Sequence, residues 1–84
     1  MKYPEDPILQ KKQETHGEYY ENASVAQALK AHMRPHLVGA SVDIRESVDL
    51  ICTKLGRICA GDPTYKDHWD DIAGYARLIA SQLK

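Results

Sequence analysis

Residues 42–60 read VDIRESVDLICTKLGRICA, and residues 61–84 continue with GDPTYKDHWDDIAGYARLIASQLK. The first segment predicts an amphipathic helix, because at about 100° per residue its apolar side chains fall within one arc of the helix surface. Gly61 and Pro63 end this helix, since glycine commonly follows the last helical residue and proline cannot continue it. The arc contains Ile44, Val48, Ile51, Cys52, Leu55, Ile58 and Cys59.

The second segment predicts another amphipathic helix, over residues 65–83. Thr64 and Asp67 match a capping box at its start, in which a hydroxyl side chain bonds a backbone N–H of the first turn. Because a short turn separates this helix from the first, the two form a long antiparallel hairpin. Its apolar positions recur at helical spacing and are expected to face the core: Trp69, Ile72, Ala73, Ala76, Ile79, Ala80 and Leu83.

A shorter helix is predicted over residues 18–33, before the hairpin. Thr15 and Glu18 match a second capping box. Pro35 ends the helix, because a proline excludes the preceding residue from helical geometry. One face of this helix carries the recurring positions Val25, Leu29, His32 and His36.

The chain before these three helices is predicted to be a flexible or loosely docked arm. Pro4 and Pro7 lie close together, and both disfavour a regular helix around them. We therefore divide the chain into an N-terminal arm, residues 1–15, and a single helical domain, residues 16–84. The predicted fold class is all-α, a small bundle of about three helices with a long C-terminal hairpin.

The composition is that of one small domain, with 84 residues and a formal net charge of −1. A pI of about 6.4 argues against general nucleic-acid binding, which usually needs a basic surface. No apolar run is long enough for a membrane span or a signal peptide, so we expect a cytoplasmic protein. The thiols of Cys52 and Cys59 are expected to be buried. A domain this small hides only about 60% of its unfolded surface, so we also expect self-association into a homo-oligomer.

A polar stripe on the last helix suggests a ligand site. Asp67, Asp71 and Gly74 share this stripe, and a glycine inside a helix costs about 1 kcal/mol, which a close approach of a helix or ligand would explain. Two carboxylates one turn apart can bind Mg²⁺, although acidic residues also favour the first turn of a solvated helix. Cations on the neighbouring helix either meet phosphates or pair with these acids. The candidate ligand surface is Lys54, Arg57, Asp67, Asp71, Gly74 and Tyr75.

Three segments carry a resemblance to a known family, at residues 16–19 (HGEY), 54–58 (KLGRI) and 67–76 (DHWDDIAGYA). Together they resemble a family of small phage and prophage proteins, which is itself similar to the MazG-like all-α nucleotide pyrophosphohydrolases. The resemblance implies a helical fold, a location in the host cytoplasm, and recognition of a nucleotide or a host protein.

The MazG-like superfamily implies a chemistry in which carboxylates of an E-x-x-E helix and an E-x-x-D helix hold Mg²⁺ while water attacks a triphosphate. Two alignments remain open. One matches the residue count with Glu18, Glu21, Glu46 and Asp49 as metal ligands. The other alignment matches residues 71–76 to the second acidic helix and retains Asp67 and Asp71 as metal ligands. Residues 54–57 then match the first acidic helix, but they lack its glutamates.

Three functions are therefore expected in order. The first is recognition of a nucleotide or a host protein by a phage accessory protein. The second is Mg²⁺-dependent nucleoside triphosphate pyrophosphohydrolysis. The third is a protein-interaction module that inhibits a host defence or transcription protein.

Overall fold

The computed structural model describes residues 6–84, in which four α-helices follow one another without a strand. The predicted all-α class is therefore confirmed, and α3 and α4 form the predicted C-terminal hairpin. No helix between residues 6 and 84 is long and apolar enough to cross a membrane. The elements are α1 (Pro7–His16), α2 (Tyr19–Met33), a 3₁₀ turn (Arg34–His36), α3 (Val42–Ala60) and α4 (Lys66–Ala80).

The predicted helix limits agree closely for α2 and α3. Both ends of α3 are the predicted ones, and α2 begins at Tyr19 rather than Glu18. The helix α4 is shorter than predicted, since it begins at Lys66 and ends at Ala80, whereas the prediction covered residues 65–83. From Ser81 the chain forms turns.

Neither predicted capping box forms. The hydroxyl and the backbone N–H of Thr64 both donate to Oδ1 of Asp62, at 2.6 and 2.9 Å. Thr15 lies inside the last turn of α1, where its hydroxyl bonds backbone carbonyl oxygens of that helix. Both threonine side chains hydrogen-bond to groups close to them in the chain and do not cap the following helix, as short hydroxyl side chains commonly do.

The prediction that no regular helix precedes residue 16 is wrong. Pro7 lies in the first turn of α1, where its missing N–H has no helical partner to lose. The side chain of Asp6 caps the helix, since its Oδ1 accepts from the backbone N–H groups of Ile8 and Leu9 at 2.9 and 3.3 Å. The predicted arm is thus helical from residue 7, and its first five residues lie outside the described part of the chain.

The helix α3 is the centre of a single layer of three helices. It packs against α2 and α4, whereas no Cα atom of α2 lies within 8 Å of a Cα atom of α4. The helix α1 contacts α2 and α3. The Cα radius of gyration is 14.3 Å, larger than the value of about 12 Å expected for a compact domain of this length.

Small side chains let α2 and α3 approach closely. A Cβ at Gly56 would collide with the backbone oxygen of Asn22 and lie 3.1 Å from the Cβ of Ala26. Cys52 is fully buried beside them, and its thiol lies 3.5 Å from Sδ of Met33. The prediction of a buried thiol is confirmed for Cys52.

The same prediction is wrong for Cys59, whose side chain is exposed. Seven residues separate the two thiols, which is about 20° short of two full helical turns. The difference in exposure therefore arises mainly from their neighbours, since α2 covers Cys52.

The helix α4 buries less of its apolar surface than predicted. Its buried or half-buried positions recur at helical spacing and share the side that faces α3: His68, Ile72, Tyr75 and Ile79. The prediction that the other positions also face the core is wrong, because the side chains of five of them are exposed: Trp69, Ala73, Ala76, Ala80 and Leu83. Since α2 does not reach α4, one neighbouring helix covers only a narrow stripe of it.

Candidate functional site

The end of α1 is held against the α3–α4 turn by long-range polar contacts. Nε2 of His68 lies 3.0 Å from the backbone oxygen of Thr15, and the backbone N–H of Asp62 donates to the same oxygen at 3.3 Å. The side-chain amide of Asn22 donates to the backbone oxygen of His16 at 3.1 Å. These contacts satisfy carbonyl groups that the end of a helix leaves without helical partners, and they fix α1 beside α2 and α3.

Gly17 makes this close approach possible. Its φ of +79° lies in the region that glycine adopts without strain. A Cβ at this position would collide with the backbone carbonyl of Ala60 at the end of α3. The junction between α1 and α2 therefore requires glycine for both its backbone conformation and its packing.

Three aromatic rings fill the junction. His68 is 1% exposed, and its ring lies edge-on to His16 and Tyr65 at centroid distances of 4.6 and 4.9 Å. Because a carbonyl oxygen can only accept, Nε2 of His68 carries the proton in the contact with Thr15. Nδ1 of the same ring is buried and makes no hydrogen bond within the described part of the chain.

A cavity of about 330 Å³ opens where α1 meets α2 and α3. Lys12 and Arg57 contribute two positive charges to its walls, and Tyr19, which is 66% exposed, contributes an aromatic ring. None of the residues that line it is acidic, a charge pattern that suits a phosphate-bearing ligand. The walls are Leu9, Lys12, Gln13, His16, Gly17, Tyr19, Asn22 and Arg57.

The electrostatic environment of the cavity acts on His16. Burial, then the nearby charge of Arg57, lowers the pKa of His16 from 6.5 to about 4. The charges of Lys12 and Lys54 act in the same direction. His16 is therefore neutral at pH 7, and the net field at its ring is positive.

The residues predicted to form one ligand surface are only partly brought together. Nζ of Lys54 lies 2.7 Å from Oδ2 of Asp71, so the ion pair predicted as the alternative to phosphate binding is confirmed. This hydrogen bond lowers the pKa of the Asp71 carboxyl, and the charge of Arg57 lowers it further. Lys54, Arg57 and Asp71 thus lie near one another.

The remaining members of that surface lie apart from the cavity. Oδ2 of Asp67 accepts a hydrogen bond from the hydroxyl of Tyr65 at 3.2 Å, and the Asp67 charge raises the pKa of that tyrosine. A Cβ at Gly74 would have nothing within 4 Å, so no described helix approaches this glycine. Tyr75 is half-buried against α3. Arg57 is the member of the predicted set that lines the cavity.

The other carboxylates predicted as magnesium ligands fall at separate places. Glu18 and Glu21 lie at the start of α2, beside the end of α3. Glu46 and Asp49 lie toward the start of α3, more than about 10 Å away along its axis at about 1.5 Å per residue. Between residues 6 and 84, no three His, Cys, Asp or Glu side chains are grouped so that they could hold a metal ion.

Sequence reasoning missed the part of the cavity that α1 contributes, including Lys12 and His16. The available signal was Asp6 before Pro7, since an acidic N-cap followed by proline at the first helical position marks the beginning of a helix.

No family model, no curated protein and no solved structure matches this chain. Evidence on function therefore comes from the geometry and chemistry of the cavity.

Proposed function

We propose that the protein recognises a nucleotide in the cavity between α1, α2 and α3. The observation that supports this is the wall composition, with two cations, an exposed tyrosine ring and no acidic residue. The cavity volume of about 330 Å³ lies at the lower end of the range for small-molecule sites. We further propose, on the resemblance of residues 16–19, 54–58 and 67–76, a phage or prophage accessory protein with a MazG-like helical fold.

The cationic side chains bind the phosphates in this proposal. The planar guanidinium of Arg57 can donate two parallel hydrogen bonds to one phosphate group, and the ammonium of Lys12 adds a second charge. Tyr19 offers the face of its ring for stacking on a base. Lys54 contributes little directly, because it is paired with Asp71.

A bound phosphate also changes the protonation of His16. The positive charges that help lower its pKa to about 4 are offset when an anion lies beside them. Binding therefore raises the pKa of His16, and the wild type takes up more protons on binding at pH 5 than His16→Gln does. Calorimetry at pH 5 in two buffers of different ionisation enthalpy measures this uptake.

The first experiment measures thermal unfolding against a panel of ribonucleotides, deoxynucleotides and cyclic nucleotides, with and without Mg²⁺. A ligand at one hundred times its Kd stabilises the fold by about 2.7 kcal/mol, a shift of several degrees for a small domain. We expect Arg57→Gln to abolish the shift. Arg77→Gln is the matched control, because it removes the same charge from an exposed position on α4. An unchanged shift in Arg57→Gln, or an equal loss in Arg77→Gln, contradicts the assignment.

Two other outcomes lead to the alternative functions. Mg²⁺-dependent release of pyrophosphate that EDTA abolishes would extend binding to hydrolysis, with Asp67 and Asp71 as the first carboxylates to test. If no nucleotide shifts the unfolding temperature and a stable complex with a host protein is captured, the interaction module that inhibits a host defence or transcription protein is favoured.

A further inference from the structure

The layer of three helices has two faces, and one of them is apolar. On α3, Cys52 and Gly56 face α2, while Lys54 faces α4. Between these two directions, at about 100° per residue, lies a row of half-buried side chains: Ile44, Val48, Ile51 and Leu55. Because no Cα atom of α2 lies within 8 Å of a Cα atom of α4, no helix of the described chain closes over this row.

The helix α4 extends the same face. Trp69, Ala73, Ala76 and Ala80 recur at i, i+4, i+7 and i+11 and are all exposed. This row lies about 90° around α4 from the side of α4 that contacts α3. The α3 row lies about 90° around α3 from the side of α3 that contacts α4, and both rotations run in the direction of increasing residue number. In an antiparallel pair of right-handed helices, equal rotations place both rows on one side of the layer. The two rows therefore form one continuous surface, which we name the apolar face.

The helix α1 lies on the opposite side. Its residues share the cavity with Arg57, which is about 180° around α3 from Val48 at about 100° per residue. The proposed nucleotide cavity and the apolar face are thus on different sides of the molecule. The apolar face contains no Asp, Glu, Lys or Arg in its α3 and α4 rows.

We propose that the apolar face packs against the same face of a second copy of this chain. The accessible surface is 6097 Å², whereas a folded monomer of 9.5 kDa exposes about 5,000 Å². Pairing with a second copy covers part of this surface and completes the apolar contacts of both copies at once. In the described residues only Ala26, Cys52 and Ile58 are buried apolar side chains, so the single copy lacks a full core.

The shapes of the two rows suit a two-fold pairing. The α3 row is built of large branched side chains, whereas three of the four residues in the α4 row are alanines, and we name this strip of short side chains the alanine groove. A two-fold axis between α3 and α4 sets each copy's large row against the partner's alanine groove, and this contact occurs twice. Trp69 is fixed in place at one end of the groove, because its indole N–H donates to the backbone oxygen of Pro63 at 2.7 Å.

The test is the mass in solution, by sedimentation or light scattering, over a dilution series. We expect a mass twice 9.5 kDa for the wild type. Ala76→Glu places a charge in the groove and is expected to give a monomer with its helical content kept. Leu78→Glu is the matched control, because Leu78 is exposed on the far side of the same helix and its variant stays dimeric.

A second readout does not depend on any variant. Acrylamide quenching of Trp69, which is 50% exposed in the single copy, is expected to be several-fold weaker at high protein concentration than after dilution. A wild type that is monomeric at all concentrations, or quenching that does not change when the mass changes, overturns the proposal. Dissociation by Leu78→Glu but not by Ala76→Glu overturns the assignment of the face. The nucleotide experiment has a separate outcome, since its variants lie on the other side of the layer.

Discussion

Nε2 of His68 lies 3.0 Å from the backbone oxygen of Thr15, and 53 positions separate the two residues in the chain. This contact joins the first turn of α4 to the last turn of α1. It gives α1 a defined position in a molecule where that helix has few other neighbours, and it thereby forms one wall of the cavity.

We expect His68→Ala to lower the free energy of unfolding by about 2–4 kcal/mol, because it leaves a cavity and removes a buried hydrogen bond. Urea denaturation measures the change. His36→Ala is the control, since His36 is exposed and its loss is expected to change stability by less than about 0.5 kcal/mol. Equal effects of the two variants would show that the ring at position 68 does not hold the junction.

Alanine substitutions at two glycines are expected to change the free energy of unfolding in opposite directions. We expect Gly17→Ala to destabilise the fold by about 2 kcal/mol or more, because alanine is strained at positive φ and its Cβ meets the backbone of Ala60. Gly74→Ala is expected to stabilise it by about 0.5–1 kcal/mol, since the position is helical and open. Thermal unfolding of both variants checks the pair, and destabilisation by Gly74→Ala would reveal a neighbour at that position.

The low pKa of His16 predicts a pH dependence of stability. Between pH 6.5 and about 4 the unfolded chain binds a proton at His16 that the folded protein does not. Protonation therefore favours unfolding, and stability falls as the pH drops through this window. His16→Gln is expected to flatten the curve there. The further loss below pH 3.8 is expected to remain, because Asp62 and Asp71 have lowered pKa values. A slope that persists in His16→Gln would assign it to another group.

The two ion pairs made by α4 are expected to differ in how much they stabilise the fold. Asp71→Asn leaves the ammonium of Lys54, whose side chain is 13% exposed, without its counter-charge, and we expect it to lower the denaturant midpoint clearly. Asp70→Asn breaks the pair with Lys66, in which both side chains are mostly exposed, and we expect it to leave the midpoint almost unchanged. The denaturant midpoints of the two variants are compared with that of the wild type. Equal decreases would show that the burial of Lys54 does not strengthen its ion pair.

The candidate site could be predicted only in part. Arg57 was predicted as a cation on α3 that either meets a phosphate or pairs with an acid, and it lines the cavity. Lys12 and His16 belong to α1, a helix that the two nearby prolines led us to exclude, although proline in the first turn of a helix loses no hydrogen bond. The pairing of Lys54 with Asp71 was one of two options, and only the relative positions of α3 and α4 selected it.

The sequence by itself determined the helical class, the limits of α3 and the antiparallel hairpin, because apolar spacing and the Gly61–Pro63 turn are local properties. Only the tertiary structure decided which apolar positions are covered. Periodicity defines the faces of one helix, but it does not say which neighbour reaches each face. Trp69 and Ile72 share the apolar arc of α4, yet α3 covers mainly the side of Ile72. The placement of α1 likewise depends on the contact between His68 and Thr15, which no local pattern encodes.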